Sequence, residues 1–201
     1  MTITPDLPPS DSARLALLHP TPEEKRATWH LNSQAWRGPM DLPTYIRREM
    51  HLEDQAFTRD GGITFWILAD TTLPPNERSI LASCESLRKQ AVIAREDGHV
   101  RDIISHGICS VFCNPDYRGR RYAQRMIYEL GNKLDNWQQK EGEKASFTLL
   151  HSDIGKVGRL NQHLVILHFD LCHRIFTRGW VGMPFPRVIS PCLPHIQAKS
   201  Q

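Results

Sequence analysis

The chain has 201 residues, with 25 Lys or Arg, 22 Asp or Glu and 10 His, for a formal net charge of +3. With 40% hydrophobic and 23% charged residues it reads as a globular, water-soluble chain, and its length fits one domain in the usual range of about 50 to 250 residues. No apolar run approaches the ~20 residues of a membrane span, and Met1 to Ser10 lacks a basic stretch followed by an apolar one. Neither a membrane anchor nor a secretory leader is expected, and the expected compartment is the cytoplasm. The five cysteines, Cys84, Cys109, Cys113, Cys172 and Cys192, are odd in number and scattered, which argues against a disulfide framework. No close Cys or His pair completes a tetrahedral zinc site around Cys109 and Cys113, so no metal is expected.

In chain order, residues 1–20 read as a flexible N-terminal segment. A helix follows over 21–35, with Pro22 in a favourable first-turn position and Glu23 and Glu24 at the positive end of the helix dipole. Tyr45, Met50, Leu52 and Phe57 give a partly helical pattern over 44–57, which Asp60-Gly61-Gly62 ends in a turn. Strands are expected over 63–69, 80–85 with 88–94, and 103–112. Asn114-Pro115-Asp116 stops the third of these. Ala123, Met126, Ile127, Leu130, Leu134 and Trp137 then recur with helical spacing, which predicts a helix over 121–139. A strand over 146–151 completes the core. Leu164, Leu167, Leu171 and Ile175 also fit a helix, over 160–176. Strand, helix, strand at the end of this order predicts an α/β layout with a crossover between parallel neighbours.

The turn Arg118-Gly119-Arg120-Arg121-Tyr122-Ala123 carries the strongest functional signal. It leads from a buried strand into a helix whose first amides lack intrahelical partners and sit at the positive end of the macrodipole, an arrangement suited to a phosphate. Gly119 lets the backbone approach such a ligand closely. The arginine cluster is short, and the helix behind it carries Glu129 and Asp135 besides Lys133, so a duplex-binding face is not evident and nucleic acid is not the expected partner.

Arg118 and Ala123 stand at the ends of a motif that resembles the coenzyme A pyrophosphate loop of the Gcn5-related N-acetyltransferases: Arg or Gln, two residues, Gly, one residue, Gly or Ala. Arg121 occupies the middle glycine position, where its guanidinium is a candidate phosphate contact. Four further segments, Phe65-Trp66-Ile67-Leu68, Ile80-Leu81-Ala82-Ser83-Cys84-Glu85, the run from Ile104 to Phe112, and Leu150-His151-Ser152-Asp153-Ile154-Gly155-Lys156, resemble successive landmarks of the fungal lysine N-acetyltransferase branch. The resemblance spans residues 10–156 and returns weakly over 176–186. It implies the α/β acyl-CoA N-acyltransferase fold: a mixed central sheet, flanked by helices, with a V-shaped split between two parallel strands. It implies a core over 21–156 and an atypical, interrupted and truncated C-terminal segment over 157–201, with an insertion over 157–174. The split would lie between residues 111–113 and 150–152. Acetyl-CoA would be the co-substrate, held by Val111, Phe112, Cys113, Arg118, Gly119, Arg120, Arg121, Tyr122, Ala123 and Ser152. A small-molecule primary amine, lysine or lysine-like, would accept the acetyl group. The resemblance would also place a general-acid tyrosine after the second split strand, yet no tyrosine follows Tyr128. The alternative is a catalytically impaired fragment that binds coenzyme A. Nothing in the sequence bears on oligomeric state.

Amide formation from a thioester needs a base for the amine proton and donors for the developing oxyanion. Glu85 is the first candidate base, because a carboxylate at the end of an apolar strand is costly unless paired or facing a cleft. A strand-end glutamate bridged to Arg88 or Lys89 is the alternative. His106 is the second candidate, since imidazole takes a proton near neutral pH; otherwise it is a satisfied strand histidine. Ser110 is either a substrate contact or a serine bonded to backbone.

Overall fold

The computed structural model describes residues 7–94, 98–139, 147–152 and 163–167. Six strands form one sheet in chain order: β1 (Leu15–Leu18), β2 (Ile63–Asp70), β3 (Ile80–Ala94), β4 (Val100–Cys113), β5 (Thr148–Ser152) and β6 (His163–Leu167). Neighbours run antiparallel except β4 and β5, which are parallel and joined through a helix. This is the mixed α/β sheet with helices on both faces that the sequence leads one to expect.

Helix α1 (Pro22–Trp36) starts at Thr21 with a reciprocal capping box: the Thr21 hydroxyl accepts from the Glu24 amide and the Glu24 carboxylate accepts from the Thr21 amide, which satisfies two otherwise orphaned donors. The same carboxylate takes Nε and an Nη of Arg78 at 2.8 and 2.9 Å, tying the helix start to the loop before β3. Helix α2 (Leu42–Glu53) is capped by Asp41. Trp29, Tyr45 and Ile46 from these helices pack with Phe65 on one face of the sheet. On the other face, Tyr122, Met126, Leu130 and Leu134 of α3 (Tyr122–Leu134) cover Trp66, Leu68, Cys84 and Ile108.

Two expectations are corrected. Residues 7–20 are not a loose segment: β1 pairs in full with β2, Leu7 packs on the core, and the Tyr122 hydroxyl donates to the Pro8 carbonyl at 2.6 Å. Leu15-Ala16-Leu17-Leu18 is too short for a periodic signal, and its order comes from the free edge of β2. Residues 163–167 are not helical but pair antiparallel with β5, Thr148 opposite Leu167 and Ser152 opposite His163. A compact apolar run satisfies both periods, and the open edge of β5 decides in favour of the strand. The rest of the predicted helix, and of the segment 157–201, lies outside the described residues.

Candidate active site

β4 and β5 are registered through only three pairs, His106 with Thr148, Gly107 with Leu149 and Ile108 with Leu150. β4 continues to Cys113 and β5 to Ser152 without further pairing between them. The strands therefore part at their carboxyl ends and leave main-chain amides and carbonyls of β4 facing a gap, the location that α/β sheets favour for ligands. The cause is local. Between the pairs Ser83–Phe112 and Glu85–Cys109, β3 has one residue and β4 has two, which is a β-bulge, and Ser110 within it has φ +52°. Such a bulge kinks its strand and ends regular pairing.

Glu85 faces this bulge from β3. Its Oε2 accepts the Ser110 hydroxyl at 2.8 Å and lies 3.6 Å from the Cys109 thiol. Among the described residues neither Arg88 nor Lys89 forms an ion pair with it, so its setting is not that of a strand-end glutamate bridged to either. Burial pushes the Glu85 carboxyl above its ordinary range, and the nearby Glu49 charge adds to this, while the Ser110 donor works the other way. The Cys109 thiol is pushed up to about 12 by burial and by the Glu85 charge. Glu85 lines a crevice too tight for a water molecule, with Thr28 and Asn32 of α1, Phe65 of β2 and Ser83 of β3. Sequence reading did not single out Thr28 and Asn32. The available signal was their spacing of four, which puts two polar side chains on the buried face of one helix.

The turn after β4 begins with a short 3-10 helix, Pro115–Tyr117, capped by Asn114. Arg118 folds back so that Nε donates to the Cys113 carbonyl at 3.3 Å, with its guanidinium over the Phe112 ring. Gly119 takes φ +82°, with nothing within 4 Å of the position a Cβ would occupy. Arg121 is the N-cap of α3 at φ +65°, and no side chain caps the helix. The site fits a polyanion: the Arg121 side chain makes no cap bond at the start of α3, open space lies beside Gly119, and Arg118, Arg120 and Arg121 are exposed. Ala123 is half-buried, its amide directed at the Cys113 sulfur. Val111 and Cys113 are half-buried against the core and Phe112 is buried.

Two residues singled out in the sequence, His106 and Tyr122, are placed differently. His106 lies on the opposite face of the sheet from Glu85, fully buried, with Nε2 3.2 Å from the Trp137 carbonyl; burial pushes its pKa down. The structure does not bring it to the carboxylate. The Tyr122 side chain is part of the core, its hydroxyl bonded to Pro8, so only its backbone belongs to the turn. Ser152 ends β5 beside the gap, and its side chain lies outside the described residues. Among the described residues no group of three or more His, Cys, Asp or Glu is positioned to hold a metal ion, and no helix is long and apolar enough to cross a membrane.

Structures similar to this one include GCN5-related and other N-acetyltransferases, among them one in complex with CoA and one with acetyl-CoA. They include a GCN5-related N-acetyltransferase from Kribbella flavida, 15% identical, covering 69% of this chain and 30% of its own, at a TM-score of 0.47. An acetyltransferase of Trypanosoma brucei is 14% identical over 74% of this chain and 96% of its own, with a TM-score of 0.46. A spermidine N-acetyltransferase of Vibrio cholerae, in complex with CoA and spermine, is 14% identical over 70% and 72%, with a TM-score of 0.46. Among curated proteins, an uncharacterized protein of Saccharomyces cerevisiae is 26% identical over 134 residues, 57% of this chain. The aligned part is about a third of that protein's length, 34%. No family model matches the chain.

Proposed function

We propose that this chain is an acetyl-CoA-dependent N-acetyltransferase of the Gcn5-related type, acting on a primary amine of a small molecule, lysine or lysine-like. The observation that carries the reading is the parting of β4 and β5 beside a carboxylate that the bulge itself supplies with a hydrogen bond.

Bound acetyl-CoA supplies an acyl carbon already activated as a thioester. The chain's own residues do the rest. The unpaired edge of β4 over residues 109–113 pairs with the amides of the pantetheine arm as a further strand would. The turn over residues 118–123 holds the pyrophosphate through main-chain N–H groups, with Arg118, Arg120 and Arg121 supplying charge. Glu85 takes the proton from the incoming ammonium through water, and the rise in its pKa makes it a stronger base than an exposed glutamate. His106, sealed beneath α3, keeps a structural role.

The test is a thermal-shift titration with acetyl-CoA, which stabilises the wild type and stabilises Arg118→Ala less, joined to a thiol-release assay with an amine panel. No shift at millimolar acetyl-CoA refutes the reading. Binding without turnover of any amine identifies a fragment that binds coenzyme A but does not catalyse.

A further inference from the structure

Helix α3 starts without the bond that fixes most helix starts. Its N-cap, Arg121, holds φ +65° and makes no side-chain cap bond, so a strained residue stands there with nothing local to hold it. The bonds that hold this turn come from 114 and 115 residues earlier in the chain. The Tyr122 side chain, 1% exposed, donates its hydroxyl proton to the Pro8 carbonyl at 2.6 Å. Further along the same turn, Arg125 Nη1 donates to the Ser10 carbonyl at 3.2 Å and its Nε engages the Glu129 carboxylate. Glu129 Oε2 in turn accepts the Leu17 amide at 3.0 Å. Residues 7–18 therefore form a strap along α3. The strap is itself fixed: Leu7 packs on the core, Pro8 and Pro9 restrict φ, the Ser12 amide closes a turn on the Pro9 carbonyl, and β1 pairs with β2.

We infer that Tyr122 and Arg125 are positioning residues: through their side chains the strap over residues 7–18 sets the first turn of α3, and with it the main-chain N–H groups over residues 118–123 that receive the pyrophosphate. Arg118, Arg120 and Arg121 are exposed and supply charge, whereas Arg125 is half-buried and its guanidinium is committed to the strap and to Glu129. The inference rests on the acetyl-CoA reading and adds what controls affinity at that site. Coupling of this kind is reciprocal: a docked strap that favours the cofactor is favoured by the cofactor to the same extent.

The experiment reads the coupling in both directions on the full chain. Tyr122→Phe keeps the ring in the core and removes only the hydroxyl. In calorimetric titration it is expected to bind acetyl-CoA about fivefold more weakly, the contribution of one buried hydrogen bond, and in the thiol-release assay to raise the acetyl-CoA KM by the same factor with little change in kcat. Thr21→Ala, which loses the cap of α1 on the other face of the sheet, is the control for lost stability and keeps the wild-type affinity. Hydrogen exchange followed by NMR gives the reverse reading. Saturating acetyl-CoA slows the Ser12, Arg14 and Leu17 amides of the wild type more than the amides of α1, and Tyr122→Phe reduces that difference. Wild-type affinity in Tyr122→Phe, an equal loss of affinity in Thr21→Ala, or slowing that is uniform over the strap and α1 overturns this inference alone. Should Tyr122→Phe fail to fold, the wild-type exchange pattern decides: selective slowing of the strap supports the inference and uniform slowing overturns it. Failure of acetyl-CoA to bind the wild type overturns both it and the proposed function.

Discussion

The Ser110 hydroxyl and the adjacent Cys109 thiol both reach Glu85 Oε2, at 2.8 and 3.6 Å, although consecutive residues of a regular strand point to opposite faces. The bulge reconciles the two. With φ +52° at Ser110, β4 turns a second side chain toward the face that Cys109 already occupies, and in the same stroke it ends the pairing with β5. One backbone irregularity thus coincides with the end of the β4–β5 pairing and brings both a hydroxyl and a thiol to the Glu85 carboxylate.

Glu85→Gln keeps the size of the side chain and an acceptor for Ser110 but cannot take a proton. In the thiol-release assay its kcat is expected to fall about a hundredfold or more, the range for loss of a general base, while acetyl-CoA binding measured by thermal shift stays at the wild-type level.

The pH dependence follows from the direction of the Glu85 shift. Its carboxyl in the folded chain is raised above the unfolded value, so its contribution to stability is fully present below the unfolded pKa and is lost as pH rises through the folded pKa. Glu85→Gln is therefore expected to be more stable than the wild type at neutral pH and to lose that advantage in acid, as read by denaturant melts at both pH values. Ser110 donates to the ionised carboxylate and holds its pKa down. Ser110→Ala should move the acid limb of the kcat profile to higher pH.

Arg121 holds a left-handed conformation at φ +65°, which costs a side-chain-bearing residue roughly 1–2 kcal/mol. This explains why the resembling motif has glycine there. Arg121→Gly is expected to raise the denaturant midpoint by the equivalent of about 1 kcal/mol with an unchanged m-value. A fall in stability would show that the guanidinium makes a larger contribution than the strain it imposes.

Burial opposes ionisation of Glu24, but Arg78 and the Thr21 and Asn76 amides outweigh it and hold the carboxyl at about 2, against an ordinary 4.5. The folded value is depressed, so the stabilisation is present above 4.5 and is lost as pH falls toward 2. Glu24→Ala leaves Arg78 buried without its partner and is expected to cost about 3 kcal/mol. Acid-melt curves of the variant should be flatter than those of the wild type between those pH limits.

Elements with local causes were legible in the sequence. Pro22 with its acidic neighbours marked α1, and the apolar run after Gly62 gave β2 to within one residue at its end. The stripe from Ala123 to Leu134 gave α3, although the chain after Leu134 tightens into three-residue turns, Asn136 and Trp137 donating to the Lys133 and Leu134 carbonyls, which takes Trp137 out of the helix. The bulge was not legible, because nothing about Ser110 marks a positive φ in an apolar strand. Nor was the separation of Glu85 from His106: it depends on register, Glu85 standing opposite Cys109 and Arg88 opposite His106, so the two candidates point to opposite faces. For Tyr122 the signal was present, since Tyr122, Met126, Leu130 and Leu134 are four apart and share the buried stripe.

Calorimetric titration of the full chain with acetyl-CoA is the most direct test of the central claim, that the parted strands and the uncapped start of α3 form an acyl-CoA site. The expected result is saturable binding at one site per chain, weakened in Arg118→Ala and unaffected in Glu85→Gln. Absence of heat at millimolar acetyl-CoA, with the protein shown to be folded by its own melt, would contradict it.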